Sequence, residues 1–573
     1  MRKSIIIFIL IMVALSIAVF FYLKYHVLET SDFKAQTSER ASPTDIRPEV
    51  IAKLKQLVKD GSEGLYVLEL DSIFMNAAGG EAGLGAGRIY YDTGVYNKML
   101  SNSKLPDDVF SIKFSGIRVD GLDLKDFIGK KELSLKSVSF LQPDVNAYHH
   151  TRSFNAVSGK QKKTLSEKIS ASYQKISIGD IYLNGGKFIN HNLNKDGVTS
   201  SLGDVDIHLG DFLIDSNAAR QRERFIFSRE SKISAKDYEV QTPAKDYKFH
   251  IDKIEITGET KSLLATGISF KPEGGHVALQ KRFQKRKVIY DVALPRLSMQ
   301  NVDWWALFNQ DEFFAASGKV SDAIIKVYID RRKPAPVLPR NNYPHQLLMR
   351  LPLPVNIQTL EIASSKVIYE EINPDINQAA TVIIDQLNGT IDNITNVKNN
   401  ISRQSIAALK SHARLKGTTP IEININLDLA NVKTGKFNAS LVVGKIDNDL
   451  INPITEPLSL FTIKRGTISK GIFTMSGDNS GGKGKMTLYY ENLHITPLKP
   501  DINSDGVLRK KHVTSFIANK FLIKNANPLH GNLRQPEYSI TRDPYTGFIK
   551  LIWVGNMTGI LKTIGVPAAA VYK

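Results

Sequence analysis

The sequence predicts a mainly β protein, an elongated antiparallel sheet or an array of β-sandwiches, and three observations carry that prediction. Apolar and polar residues alternate in one segment after another, Gly and Pro turn signals interrupt those segments at short intervals, and windows with helical spacing are few. The cleanest alternation is Ile421, Ile423, Ile425, Leu427 and Leu429, with Glu422, Asn424, Asn426 and Asp428 between them. Successive side chains of a strand point to opposite faces, so this strand has one dry face and one wet face. The same period recurs at Ile176 and Ile178, at Val205, Ile207 and Leu209, at Tyr247, Phe249 and Ile251, and at Ile325, Val327 and Ile329. An open sheet and two sheets packed face to face both satisfy this pattern.

At the N-terminus an uncharged run of nineteen residues extends from Ile5 to Leu23. As a helix at about 1.5 Å per residue it spans about 28 Å, the thickness of a bilayer's hydrocarbon core. Residues 1–25 are therefore predicted to be a single transmembrane anchor, with Ile5, Leu10, Leu15, Phe20 and Leu23 facing lipid. A cleaved signal peptide is the competing reading, since Ser16 and Ala18 have the spacing of a processing site, but the apolar stretch continues past them. Arg2 and Lys3 on the short flank place the N-terminus inside and the body outside the cytoplasm. Residues 26–47, rich in Ser, Thr and charge, read as a tether, and Pro48 to Lys59 as a short amphipathic helix. A first β-rich region runs over 48–330, a Pro-rich basic connector over 331–354 and a second β-rich region over 355–505. The end, 506–573, turns helical from Val513 to Ile523 and from Phe548 to Ile564.

Glycine clusters invite chemical readings that their context removes. Gly477 to Lys483 has phosphate-loop spacing, but Gly484 stands where a Ser or Thr would hold magnesium, and Met486, Leu488 and Tyr490 continue as a strand. A hairpin turn is the better reading, and Asn184-Gly185-Gly186, Pro272 to Gly275 and Asn388-Gly389 are predicted to be turns of the same kind. Gly79 to Gly87 reads as a loop. The adjacent pairs His149-His150 and Glu370-Glu371 would point to opposite faces of a strand, which opposes a metal site in one case and a glycosidase pair in the other. The basic run Lys281, Arg282, Lys285, Arg286, Lys287 is read as a solvated face, with an anionic headgroup as the minority reading.

Composition sets the outer limits. The chain of 573 residues lacks cysteine, which excludes disulfides, thiolate zinc sites and a thiol nucleophile, and no catalytic residue, metal site or cofactor is assigned. Its 75 Lys and Arg exceed its 57 Asp and Glu by 18, a surplus suited to an anionic partner. For an exported body that partner is a lipid surface, and nucleic acid is excluded.

Several stretches carry a family resemblance. Tyr343-Pro-His-Gln-Leu-Leu, Leu353-Pro-Val-Asn-Ile, Lys366-Val-Ile-Tyr-Glu-Glu, Asn452-Pro453 with Pro457-Leu458, Leu488 to Leu493, Phe516 to Pro528 and Gly547 to Gly559 resemble the AsmA-like (repeating β-groove) superfamily of Gram-negative envelope proteins. The resemblance is firmest from Asp237 onward and consists of dispersed structural residues. It implies an inner-membrane anchor, a periplasmic body and an elongated sheet curled into a groove that binds or conducts phospholipid in outer membrane biogenesis, without catalysis. Ile421, Ile423, Ile425, Leu427 and Leu429 are then candidates for the groove lining. Outer-membrane or periplasmic assembly proteins are the other implied partners. The alternative is an envelope scaffold or assembly factor with a dry β core and no lipid cargo; an exported hydrolase would need residues distant in sequence. The C-terminal amphipathic helix, with Phe548, Lys550, Trp553 and Lys562, is read either as an interfacial contact with anionic lipid or as a cap on the last strands.

Overall fold

The computed structural model describes residues 47–76, 81–121, 132–156, 175–194, 197–215, 217, 221–336, 341–374, 376–500, 508–510, 524–543 and 547–565. The anchor residues Ile5, Leu10, Leu15, Phe20 and Leu23 lie outside them, as do residues 26–46 of the tether and the segment from Val513 to Ile523. No helix among the described residues is long and apolar enough to cross a membrane. Strands dominate, as the alternation requires, and the chain divides into two compact units, Met1–Ala265 and Thr266–Lys573.

The first unit opens with helix α1 (Arg47–Gly61), the helix expected from Pro48 onward. Then come β1 (Tyr66–Leu70), β2 (Ile73–Asn76), β3 (Glu81–Leu84), β4 (Gly87–Tyr91), α2 (Thr93–Ser101), β5 (Asp108–Phe114), β6 (Gly116–Asp120), β7 (Glu132–Leu141), β8 (Asp144–His149) and the turn α3 (Ser153–Ala156). The long strands β9 (Lys175–Asn192), β10 (Thr199–Ile214), β11 (Ser228–Gln241) and β12 (Tyr247–Thr257) complete it. Two lanes of short strands, β2-β3-β6-β7 and β1-β4-β5-β8, meet β9 side by side, β7 and β8 both running parallel to it. From β9 onward every pairing is antiparallel, to β10, β11 and β12.

Strand β13 (Ser262–Pro272) carries the change of unit. The second unit continues with α4 (Gly275–Arg282), β14 (Val288–Gln300), α5 (Trp304–Asn309), β15 (Phe313–Ser321), β16 (Ile324–Asp330), α6 (Pro344–Leu348), β17 (Val355–Ile372), β18 (Ala379–Thr395) and α7 (Lys398–Arg403). Then follow β19 (Ile406–Leu415), β20 (Thr419–Asp428), β21 (Phe437–Val443), α8 (Asn448–Ser459), β22 (Phe461–Asp478), β23 (Gly481–Pro500), β24 (Leu508–Lys510), β25 (Glu537–Thr541) and α9 (Phe548–Ile564). Here β15 and β16 lie end to end, both parallel to β17, and the ladder runs on antiparallel through β18, β19, β20, β21, β22 and β23 to β25.

The two units share a construction that no sequence repeat announces. Asp108 pairs with His149 and Gly116 with Leu141; 180 residues later Val288 pairs with Ile329 and Arg296 with Ser321. At the corner between the two short strands Gln142 and Asp322 adopt left-handed backbone, φ +47° and +58°. Their N–H groups donate to Asn184 O at 2.8 Å and Ala363 O at 3.0 Å. One residue further along the long strand, the N–H of Gly185 donates to Asp206 Oδ1 at 2.9 Å and that of Ser364 to Asn388 Oδ1 at 2.8 Å. Backbone hydrogen bonds and a carboxylate or amide acceptor hold this corner, so its side chains diverge freely while its register does not.

That corner corrects two turn predictions. Asn184-Gly185-Gly186 and Asn388-Gly389 lie inside the long strands β9 and β18, at irregularities in the ladder, because each strand continues past its bulge instead of reversing. Gly79 to Gly87 is likewise no loop over its described part. Gly83 sits in β3 and Gly87 opens β4, and a Cβ on Gly83 would lie 2.1 Å from the Phe74 ring. The prediction at Gly477 to Gly484 holds as the β22–β23 hairpin, whereas Pro272 to Gly275 turns the chain but leads into α4 instead of a paired strand, because Gly274 and Gly275 at φ +73° and +85° open a helix.

Candidate functional site

One face of the second unit's sheet is apolar from β14 to β25, and the register fixes which residues share it. Tyr290, Val327, Tyr369 and Val382 form one cross-strand row, and Val292, Ile325, Val367, Ile384 and Leu415 the next. Further along, Ser411, Ile423, Leu441, Phe473 and Met486 are in register, followed by Leu409, Ile425, Ala439 and Met475. Such rows are the packing units of a sheet.

Among the described residues, helices cover the later part of this face. α8 packs Ile454, 1% exposed, onto Leu415 and Ile421, with Leu450, Ile451 and Leu458 beside it. Two prolines interrupt its backbone ladder at Pro453 and Pro457, and side chains from the sheet hold it instead. Asn452 Oδ1 accepts from Ile463 N at 2.8 Å while its Nδ2 donates to Ile463 O at 2.9 Å, and Asn373 Nδ2 donates to Pro457 O. α9 lies over β22, β23 and β25, burying Phe548, Leu551, Met557, Leu561 and Ile564. Gly555 and Gly559, read from sequence as interruptions, set how near the helix comes: a Cβ on Gly559 would lie 2.7 Å from Met486 Cβ. Tyr343, fully buried, fills the space between Phe437 and Phe548, with ring centroids 5.8 and 5.2 Å away.

Val382 and Leu415 of the earlier rows pack beside α8, whereas among the described residues no helix is seen to pack on the β14, β16 and β17 members of those rows. Val292, Ile325, Val327 and Val367 are half-exposed and Tyr290 is 45% exposed, although all are large apolar or aromatic residues on the same face as the packed core. The opposite face of these strands is closed only at the α4 end, with Ile289 and Tyr328 buried, Leu279 of α4 buried and His276 of α4 4.6 Å from the Tyr328 ring, whereas Ile324 and Lys326 on that face are exposed. In the first unit, Tyr247, Phe249 and Ile251 of β12 are half-exposed in the same way, with Val240 opposite Phe249 and Tyr238 opposite Ile251.

At the end of the open rows lies a buried ionic cluster. Glu371, 1% exposed and in register with Ile329, accepts from Arg331 Nη1 at 3.0 Å, from Lys550 Nζ at 3.2 and 3.3 Å, and from the Tyr369 hydroxyl. Arg286 Nη2 donates to Arg331 O at 2.9 Å. Burial alone would raise the Glu371 pKa, but the charge of Lys550, the Tyr369 hydrogen bond and Arg331 outweigh it and hold the carboxyl below its ordinary range. Burial lowers the Lys550 pKa; Glu371 opposes this, while Arg331 and Arg286 add to it. Burial, then the neighbouring carboxylate, raises the Tyr369 phenol, so it stays a donor.

The predicted groove residues of β20 therefore sit beneath helices: Ile421 and Leu429 are buried, and Ile423, Ile425 and Leu427 are half-buried against the two core clusters. Of the four C-terminal residues, Phe548 is buried, Lys550 turns to Glu371, and Trp553 packs against both neighbouring clusters. Lys562 is exposed and donates to Glu537 O at 3.1 Å. The sequence reading missed Tyr290, Val292 and Val367 as members of this patch and Arg286 as a member of an ionic cluster; the alternation of Ile325 and Val327 and the basic run containing Arg286 were the signals pointing there. Comparison of the chain with family models, curated proteins and solved structures returns no match.

Proposed function

We propose that this is an AsmA-like, lipid-binding envelope protein whose acyl-chain site is the open apolar face of β14, β16 and β17. The observation that carries the reading is the contrast along one face. Ile421, Phe473 and Met486 under α8 and α9, and Ile454 of α8, are buried, whereas Tyr290 is 45% exposed and Val292, Ile325, Val327 and Val367 are only partly buried. Open apolar rows bounded by a closed core fit hydrocarbon chains laid across strands, with no catalytic group required. In this reading the segment from Ile5 to Leu23 anchors the chain in the inner membrane and the body works in the periplasm, receiving or passing on phospholipid.

The test is lipid analysis of the purified protein. Wild-type protein extracted in mild detergent should retain phospholipid by native mass spectrometry, and Val327→Asp should lose it while keeping its circular dichroism spectrum. Wild-type protein free of lipid would refute the proposal. A second reading, a scaffold with a dry core, is favoured by the burial of Ile421 and Leu429 under helices, and it predicts no lipid in either protein.

A further inference from the structure

We propose that Arg286, Arg331 and Lys550 form an anion clamp that receives the phosphate of a lipid headgroup at the end of the open apolar rows. This inference rests on the lipid-binding reading above and adds headgroup charge as the selected property. The placement comes from the register. Arg331 follows Ile329 by two residues, and Glu371, which it contacts, lies opposite Ile329, one row beyond Tyr290, Val327 and Tyr369. An acyl chain on those rows would bring its headgroup to these cations.

The charge balance also points to an anion. Arg331 and Lys550 contact Glu371 and Arg286 joins them through Arg331 O; Asp330 at the end of β16 is engaged by Arg332 through Nε at 2.9 Å and Nη2 at 2.7 Å, and Glu370, opposite Tyr328, belongs to the other face of β17. Asp543 is the remaining acid whose charge acts on Arg286. Tying α9 to β17 requires a single cation on Glu371; a second and a third, partly withdrawn from water, repel one another. Arg286 is the most telling: half-buried and beside Arg331, it has its Nε–H buried without a hydrogen-bond partner. The side chains of Arg331 and Lys550 remain 35% and 29% exposed, so the cluster is open on one side. Guanidinium forks match phosphate oxygens in pairs, and a lysine adds a point charge. The same chemistry would suit free inorganic phosphate, and the experiment separates the two.

The full-length protein in mild detergent is titrated with fluorescent phosphatidylglycerol and with diacylglycerol of the same acyl chains, which lacks the phosphate, with inorganic phosphate as competitor. Wild-type protein should prefer phosphatidylglycerol by about tenfold, the difference expected of one charge-assisted hydrogen bond. Arg286→Gln, which leaves Arg331 and Lys550 on Glu371, should remove most of that preference, and Arg286→Lys should keep part of it. The wild-type preference should also shrink as salt is raised, a readout needing no variant. Equal binding of both lipids by wild-type protein, or a preference untouched by salt, overturns the clamp and leaves the lipid reading standing. Binding of neither lipid removes the lipid reading and the clamp together. Displacement of phosphatidylglycerol by millimolar phosphate alone would show a free-phosphate site and overturn the headgroup assignment.

Discussion

Lys550 Nζ lies 3.2 Å from Glu371 Oε1, joining the first turn of α9 to the end of β17 across 179 residues of chain. Removing the carboxylate leaves Arg331 and Lys550 facing each other in a site withdrawn from water. Glu371→Gln should therefore cost about 3–5 kcal/mol. Since the folded-state pKa of Glu371 lies below its unfolded value, its contribution is complete above the ordinary carboxylate range and is lost as pH falls through the lower folded value. Urea unfolding at neutral and acid pH checks both points: the gap between wild type and variant should narrow on acidification.

The open and covered parts of the apolar face should respond differently to a carboxylate. Ile425→Asp places a charge beneath α9 and should cost several kcal/mol. Val327→Asp, half-exposed, keeps its carboxylate in water and should cost no more than about 1.5 kcal/mol. Thermal melts of the two variants decide; equal losses would mean that the open rows are packed after all.

Gly559 is expected to accept no side chain without moving α9. Gly559→Val pushes a branched group against Met486 and should destabilise by about 1–3 kcal/mol. Ile549→Ser on the same helix, at a position 65% exposed, should leave the melting temperature nearly unchanged.

His345 is 1% exposed, with both ring nitrogens buried and without hydrogen-bond partners. Burial lowers its pKa, and the distant charge of Asp428 only partly opposes this. The folded state therefore favours the neutral ring. Stability from this group is complete above the ordinary histidine value of 6.5 and is lost as pH falls through the lower folded value. His345→Leu should gain on wild type as the pH drops from 7.5 to 5.5, with the denaturation midpoint as the measurement.

Much of the fold is legible in the order of residues because strand faces are set locally. Ile421 to Leu429, Ile325 to Ile329 and Tyr247 to Ile251 are strands with their apolar members on one side, as a period of two demands. Helices α1 and α9 follow from apolar spacing in the same way. Glycine was ambiguous, since a hairpin turn and a bulge within a continuing strand both use turn-forming residues; Gly185-Gly186 differs from a turn only in its β10 partners, Asp206 Oδ1 for the Gly185 N–H and Val205 opposite Gly186.

What the sequence by itself determined is which side of each strand is apolar, that strands outnumber helices, and where the last helix lies. Tertiary structure alone decided which apolar rows are covered. Ile425 and Val327 have the same local pattern and are both partly buried, but Ile425 packs against a core cluster that Phe548 and Leu551 of α9 join from more than a hundred residues away. It also decided the partners of Lys550 and Arg286: Glu371 at the end of β17 for the first and Arg331 O for the second. Alternation is a property of neighbouring residues along the chain, whereas cover and charge pairing depend on contacts between distant segments, which local periodicity does not encode.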